Sequence, residues 1–348
     1  MGSKILKLMN VLLAVCGSIA IGPNIISMLR DINYVDKIVG IDINDDNPGR
    51  FLVDKFYKVP KTNDIKYIPF VLYLCTSENI DVILCTSTQN SLIPLKKNEK
   101  LFDEINVKIP GTNIEDLLIA NDKGLMLAKV NESGIDCPNF MVPDNDKHFD
   151  SFLYKNKNVI VKPRVSSGSR GFRILKNNYK LGYEDIVGKS DDLSKVVDTT
   201  EYRDILNDEG SFSDILMMEY LEGQDYSVYS LANKGKSLVT IPFKRLKPKD
   251  GVSLVSEVDM NEHVIEYVQK IVKLFNLDWI VNIQLKLSPE NKPLIYEINP
   301  RLAGSVILTK GAQCDLLRYG LDMISDRELE IKNPEKCKMI RYYTEVLV

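Results

Sequence analysis

The sequence predicts a mixed architecture, α/β in its first third and α+β beyond it, and three patterns carry that prediction. Residues 9–110 alternate short apolar runs with longer helix-like ones, the rhythm of a small parallel sheet covered on both faces. From Val159 onward, apolar strand-like runs are joined by turns rich in Gly, Ser and Asn. Finally, Asn282–Leu287 alternates polar and apolar residues, Ser288-Pro289-Glu290-Asn291-Lys292-Pro293 is dense turn chemistry, and Leu294–Asn299 reads as the returning strand of a hairpin.

In the first region the expected strands are Val11–Cys16, Lys37–Asp42 and Asp81–Cys85, with a shorter one at Val107–Pro110. Helices are expected over 23–32, 65–78 and 92–104. Lys4 and Lys7 ahead of Leu8–Cys16 resemble a short signal peptide, even a lipoprotein one. The apolar run is too short to span a bilayer, Val15 rather than a small residue precedes Cys16, and no A-x-A-like site follows. The expectation is therefore a buried parallel strand running through Gly17–Gly22 into an apolar helix. Asp42 ends the second strand, where Rossmann-type folds carry an acidic residue for a ribose. The first turn is G-x-x-x-x-G, neither G-x-G-x-x-G nor a Walker loop, because no Lys-Ser/Thr follows Gly22. A structural or substrate-binding role is expected here rather than nucleotide binding.

Further on, a helix is expected from Asp122 through Lys123, Met126, Leu127 and Val130, stopping near Gly134. Val159–Pro163 and Phe172–Leu175 read as strands on either side of Val165-Ser166-Ser167-Gly168-Ser169-Arg170-Gly171. Residues 176–214 are polar and are expected as surface helices and loops. Ile215–Leu221 is an apolar strand, and Tyr226–Leu231 and Ser237–Ile241 form a hairpin across Asn233-Lys234-Gly235-Lys236. Asn261 caps a helix whose apolar face is Val264, Ile265, Val268, Ile271, Val272 and Phe275. The sequence contains no internal repeat, coiled coil or low-complexity tract.

Composition narrows the classes of function. A chain of 348 residues, 44% hydrophobic and 27% charged, builds a large core and has room for about two domains. A net charge of -3 provides no global field for nucleic acid or an anionic membrane. Six scattered cysteines without a CxxC pair, and two histidines, argue against a zinc site and for a reducing, cytoplasmic setting.

The hairpin carries the chemistry. Side chains two apart share a strand face, so Glu297, Asn299 and Arg301 fall together if the strand persists, with Gln284 available on its neighbour. One carboxylate, two amide oxygens and a guanidinium suit Mg²⁺ shared with phosphate; taken alone, the same residues also fit a solvated sheet edge. Lys162 precedes a loop of small residues whose glycines allow close approach to phosphate oxygens and closure over a site, or it stands at the mouth of a plain hairpin. The strand Met217-Met218-Glu219-Tyr220-Leu221, breaking at Gly223, can offer backbone groups to an adenine edge, and Asp225 can accept from ribose hydroxyls. Met-rich apolar strands are also ordinary core.

Taken in order, Asp122-Lys123, Val161-Lys162-Pro163 with its Gly/Ser loop, Glu219-Tyr220-Leu221-Glu222-Gly223-x-Asp225, Asn282-x-Gln284 and Glu297-x-Asn299-Pro300-Arg301 resemble the ATP-grasp superfamily. The likeness is greatest to the ATP-binding halves of the carbamoyl phosphate synthase large subunit and their stand-alone relatives, and it covers nearly the whole chain. It implies a Rossmann-like N-terminal domain followed by a two-subdomain ATP-grasp fold: residues 1–110, a small subdomain with its connecting segment over 111–225, and a large subdomain over 226–348. By the same resemblance Lys123, Lys162 and the loop residues Ser167, Gly168, Ser169 and Gly171 contact ATP phosphates. Glu219 and Leu221 meet the adenine, Tyr220 between them belongs to the same ATP-binding set, and Asp225 meets the ribose. Gln284, Glu297 and Asn299 hold one or two Mg²⁺, with Mn²⁺ as a substitute, and Arg301 is the catalytic cation on the γ-phosphate or acyl phosphate. Lys244 and Arg245 would add positive charge.

Four positions depart from the family pattern. Asp225 stands where Glu is usual, and Gln284 replaces an acidic residue of many members, although the carbamoyl phosphate synthase branch also uses Gln. Thr88-Gln89-Asn90-Ser91 lies where relatives carry an acidic pair, and Leu302-Ala303-Gly304-Ser305 is smaller than its counterpart, which fits a different acceptor. The chemistry implied is a carboxylate–amine ligase working through an acyl phosphate and releasing ADP and phosphate. Its partners would be a small-molecule carboxylate and amine, with no nucleic acid or membrane, in a chain that can pair as a homodimer. The alternatives are an enzyme of carboxyphosphate or carbamate and an ATP-binding module without turnover.

Overall fold

The computed structural model describes residues 7–166, 168–180, 195–249 and 251–347; Ser167 and positions 181–194 of the polar stretch lie outside the described residues. The chain divides into two compact units. One comprises Met1–Asn121, Asp225–Gln284 and Ile298–Val348, the other Asp122–Gln224 and Leu285–Glu297.

The first unit opens with strands β1 (Met9–Ala14), β2 (Val35–Asp42), β3 (Lys55–Lys58) and β4 (Val82–Cys85), all paired in parallel in the order β3-β2-β1-β4. The apolar run is the buried strand expected. Val11 and Leu13 enter one core with Ile25, Ile26, Met28 and Leu29 of helix α1 (Gly22–Arg30). Leu12 and Ala14 enter another with Val71, Leu74 and Cys75 of helix α2 (Tyr67–Ser77). A strand covered on both faces has no polar positions to alternate. Each buried Val or Leu of this strand contributes about 1.5–3 kcal/mol.

Three local expectations change. Strand β3 escaped notice because Lys-Phe-Tyr-Lys is a short, half-exposed edge. The helix expected over 92–104 is broken into a π-helical turn, Thr88–Leu92, and two short helices, Ile93–Lys96 and Glu99–Asp103. Pro94 sits in the first turn of the middle piece, where its missing N–H costs nothing, and Asn98 separates the two helices. Val107–Pro110 makes only a single parallel bridge, Val82 to Lys108.

The end of α2 carries a buried carboxylate. Glu78 accepts from the Tyr57 hydroxyl at 2.5 Å and from Lys37 and Lys55 at 3.0 Å. The Tyr57 hydroxyl first, and then the two lysines, hold its carboxyl down to about 2. A carboxyl lowered by folding stabilises fully above its unfolded value, and that contribution is lost as pH falls towards 2. Glu78→Gln should cost about 2 kcal/mol at pH 7, with the gap to the parent narrowing in melts taken below pH 4; an equal gap at every pH would refute the ionised pairing.

The second unit holds strands β5 (Phe140–Met141), β6 (Val159–Pro163), β7 (Arg173–Lys176), β8 (Val196–Asp198) and β9 (Ile215–Glu219) in the order β5-β9-β6-β7-β8. Its helices α3 (Lys123–Glu132), α4 (Asp146–Lys155) and α5 (Thr199–Glu209) begin at Asp122, Asn145 and Asp198, each accepting main-chain N–H bonds of the first turn. Val159 and Val161 of β6 join Ile215 and Met217 of β9 in a core with Phe149, Phe152 and Phe212. Period-two alternation therefore sends Lys162 to the opposite face of the sheet.

The first unit resumes with β10 (Asp225–Asn233), β11 (Lys236–Lys249), β12 (Val252–Val258), helix α6 (Glu262–Leu274), β13 (Trp279–Leu287), β14 (Pro293–Asn299), helix α7 (Leu316–Ile324) and β15 (Lys338–Ile340). The sheet order is β14-β13-β10-β11-β12-β15. Residues 285–297, the outer part of the β13–β14 hairpin, belong to the second unit. The Tyr226–Ile241 hairpin turns at Lys234-Gly235 as expected but runs on to Lys249. Strand β12 was not expected, because register shifts at Arg245–Pro248 break the alternation that would reveal its pairing. Helix α6 is capped by Asn261 and buries Val264, Val268, Ile271 and Val272, as the spacing predicts.

Candidate functional site

Two lysines and a carboxylate meet in the second unit. Lys162 donates from Nζ to the Tyr296 carbonyl at 3.1 Å and lies 5.4 Å from the centre of the Tyr296 ring. Lys123 opens α3, whose cap Asp122 is gripped by Arg164 through two bonds of 3.0 and 2.7 Å. The Lys123 N–H donates to the Arg164 carbonyl at 3.0 Å, so the helix start and the end of β6 are fastened together. Lys123 Nζ then donates to the Ser166 carbonyl at 2.7 Å and stands 3.5 Å from Glu297 Oε1. Both lysines are under a tenth exposed, at 6% and 8%. Two buried ammonium groups facing one carboxylate leave positive charge without an anion. Burial, and then the charge of Lys123, push the Lys162 amine down to about 7, with Glu297 opposing. A polyphosphate would supply the missing negative charge, and the residues fit one.

The loop beyond β6 is tied to Lys123 through Ser166. Gly168, Ser169 and Gly171 all have left-handed backbones, with φ of 68°, 57° and 74°. Gly171 admits no side chain: a Cβ there would lie 2.6 Å from Pro163 Cγ. Ser167 lies outside the described residues.

At the end of β9 and just beyond it, main chain and side chains are both engaged. Glu219 turns its carboxylate onto Asn139, accepting from the main-chain N–H at 2.8 Å and from Nδ2 at 3.3 Å. Tyr220 donates its N–H to the Asn158 carbonyl at 2.9 Å. The Leu221 carbonyl accepts from Lys286 Nζ at 2.7 Å, and that amine lies 5.3 Å from the Tyr220 ring centre. Gly223 is required by close approach, since a Cβ would fall 1.9 Å from the Leu287 carbonyl oxygen. Lys286 was missed at the sequence level, although its position two residues after Gln284 on an alternating strand was a usable signal.

The remaining predicted residues belong to the first unit. Asp225, at the start of β10, is ion-paired with Arg245 at 3.0 Å; the side chains are 12% and 6% exposed. Its carboxylate thus serves the fold as well as any ribose. Asp225→Asn should lower stability by about 3 kcal/mol, read by denaturant titration, because it removes the carboxylate from a buried ion pair; a shift under about 0.5 kcal/mol would show that the pair is not structural. Lys244 is engaged by Asp259 at 3.1 Å, which also accepts from Tyr226 at 2.6 Å. Gln284 Nε2 lies 3.5 Å from Asn282 Oδ1, and Asn282 donates to Ser227 Oγ at 2.8 Å. Strand β14 ends at Asn299, and Arg301 folds back: Nη2 donates to Asn299 Oδ1 at 2.9 Å and Nη1 to its neighbour's carbonyl, Leu302, at 2.8 Å.

Among the described residues no three His, Cys, Asp or Glu side chains gather as a metal cage. The predicted set is of a different kind, with one carboxylate (Glu297) and two amides (Gln284 and Asn299). Hard oxygens of that number fit Mg²⁺ completed by phosphate and water. Asp42, the other acid in a nucleotide-like position, turns inward and accepts from the Gly17 N–H at 3.0 Å and the Asn44 N–H at 3.1 Å.

Comparisons with known proteins bear on the family and the fold. Residues 211–346 match the family described as ATP-grasp in the biosynthetic pathway with Ter operon, and residues 22–110 match the PylC-like N-terminal domain. The carbamoyl phosphate synthase large chain of Thermoanaerobacter sp. (strain X514) is 24% identical over 356 residues, covering 94% of this chain and 31% of its own length. The chain thus spans about a third of that relative. Among solved structures, the ADP complex of an N5-carboxyaminoimidazole ribonucleotide synthetase superposes with a TM-score of 0.71 at 14% identity, over 98% of this chain and 83% of the other. An L-amino acid ligase from Bacillus licheniformis gives 0.61 at 14% identity, over 94% and 78%. At such identities the structural likeness speaks for the fold alone.

Proposed function

We propose that this chain, which belongs to the ATP-grasp superfamily, is an ATP- and Mg²⁺-dependent ligase that joins a carboxylate to an amine through an acyl phosphate. The observation that carries the reading is the convergence of Lys123 and Lys162 on Glu297, with a positive charge that a polyphosphate would balance. Lys123 and Lys162 bind the phosphates, and the 165–171 loop screens them from water. The main chain of 219–221 meets the base, and Asp225 meets the ribose. Gln284, Glu297 and Asn299 hold Mg²⁺, which supplies charge neutralisation on the phosphates. Arg301 steadies the transferring phosphoryl group.

The carboxylate attacks the γ-phosphorus, ADP leaves, and an amine then displaces phosphate from the acyl carbon. Positioning and charge neutralisation do this without a nucleophilic side chain. Bicarbonate as the acid is the second reading, favoured by the carbamoyl phosphate synthase relatives. The test is ADP release with Mg²⁺ across amino acids, sugar acids and bicarbonate, together with transfer of ¹⁸O from the carboxylate into phosphate. Release stimulated by an organic acid with ¹⁸O transfer supports the ligase. Bicarbonate alone sufficing supports the second reading, and ADP binding without turnover across the panel counts against both. Among the described residues all six cysteines are free and no helix is long and apolar enough to cross a membrane; we place the enzyme in the cytoplasm.

A further inference from the structure

Arg341, just past β15, takes no part in the chemistry assigned above. Its guanidinium donates from Nε to the Ser253 carbonyl at 3.4 Å, from Nη1 to Ala20 at 3.2 Å and from Nη2 to Gly304 at 3.0 Å. Gly304 also accepts from Asn24 Nδ2 at 3.0 Å, and a Cβ at Gly304 would fall 2.2 Å from the Ala20 oxygen. The turn after β1 and the turn after β14 are therefore drawn onto one guanidinium. Beside them, Ser305 Oγ and the Tyr229 hydroxyl are 3.0 Å apart. Tyr229 is fully buried, and the charges of both Arg301 and Arg341 bear on its hydroxyl.

Among the described residues no carboxylate pairs with Arg341, although it is half-buried and burial pushes its pKa below the usual arginine range. Partly desolvated charges are ordinarily paired. Three neutral carbonyls accept its hydrogen bonds without cancelling its charge, so the charge itself calls for an anion. Of five N–H groups three are used, leaving one on each Nη. A guanidinium fork of that kind matches a carboxylate.

We propose that Arg341, with the Ser305 hydroxyl that Tyr229 holds in place, binds a carboxylate of a small-molecule substrate, distinct from the phosphoryl group held by Arg301. With the Arg301 charge assigned to the phosphoryl group, Arg341 brings one further positive charge, which a carboxylate balances. Ser305, Gly304 and Ala20 are partly exposed, so a small molecule can reach the group. The inference rests on the ligase reading for the identity of its ligand as a substrate.

The probes are carboxylate–amide pairs: L-alanine and L-alaninamide, succinate and succinamide, acetate and acetamide. Binding to the full chain is measured by calorimetry with and without saturating MgADP. At least one acid should bind roughly tenfold tighter than its amide, as a charge-assisted bidentate pair requires. Arg341→Gln should erase that preference and leave ADP affinity unchanged, and Arg341→Lys, which keeps the charge and loses the fork, should restore only part of it. If Arg341→Gln fails to fold, the double variant Ser305→Ala, Tyr229→Phe carries the test and should weaken the preference by about threefold or more. An acid preference surviving in Arg341→Gln, or in the double variant when the first cannot be purified, overturns the proposal. So does the absence of any acid preference in the parent. Failure of the parent to bind ADP would instead count against the ligase reading, while the acid–amide comparison without nucleotide still decides the Arg341 site.

Discussion

Glu297→Gln should lower turnover by about a thousandfold or more and shift the melting temperature by only a degree or two. The carboxylate is the one charged member of the proposed Mg²⁺ set, and an amide of the same shape retains hydrogen bonding but loses most of the affinity for a hard cation. Among the described residues it is also the anion paired with Lys123, at 3.5 Å. The substitution therefore separates two functions. Metal-free ADP should bind at least as tightly as to the parent, because two lysines then face the phosphates without a competing carboxylate. MgADP should lose its advantage over metal-free ADP. Steady-state ADP release, with calorimetry in the presence and absence of Mg²⁺, reads both effects. Undiminished turnover would sink the metal assignment, and loss of metal-free binding would place Glu297 in the fold instead.

How much of this was legible beforehand depended on the range of the interaction. The β1 run, the α6 face and the β13–β14 hairpin follow from periodicity, which is local, and the structure contains all three. Lys123 and Lys162 could be singled out by their place in an ordered series of motifs, but not their meeting at Glu297, which lies 174 and 135 positions further along. Short edge strands such as Lys55–Lys58 and Lys338–Ile340 leave too few residues for an alternation to register. Partners of polar side chains were the least legible. Nothing in the sequence says that Asp225 is occupied by Arg245, that Glu219 turns to Asn139, or that Arg301 folds back onto Asn299 once the strand has ended. Arg341 left no trace at all, because its partners are carbonyls, and every residue has one.

Lys162→Met should make the protein more stable and nearly inactive, an uncommon pairing that follows from the sign of one pKa shift. The amine is lowered to about 7, chiefly by burial. Between that value and the ordinary lysine range near 10.4 the unfolded chain binds more protons than the folded one, so stability rises with pH across this window. At pH 7 and below, the folded state bears the full cost of a buried, incompletely paired ammonium. Methionine has a similar length and no charge, and should raise stability by about 1–3 kcal/mol at pH 7. The gain should shrink towards pH 10, where the parent lysine is neutral in the folded state and close to neutral in the unfolded one. Function moves the other way, because the same unbalanced charge is what a phosphate would satisfy, and kcat/KM should fall by about a hundredfold or more. A third measurement ties the two together. Nucleotide binding to the parent at pH 8 should take up a proton as Lys162 regains its charge, visible as a dependence of the calorimetric enthalpy on the ionisation enthalpy of the buffer. Lys162→Met should abolish that dependence. A variant that melts lower than the parent at pH 7, or that still takes up the proton, would mean that Lys162 is not the buried cation awaiting phosphate.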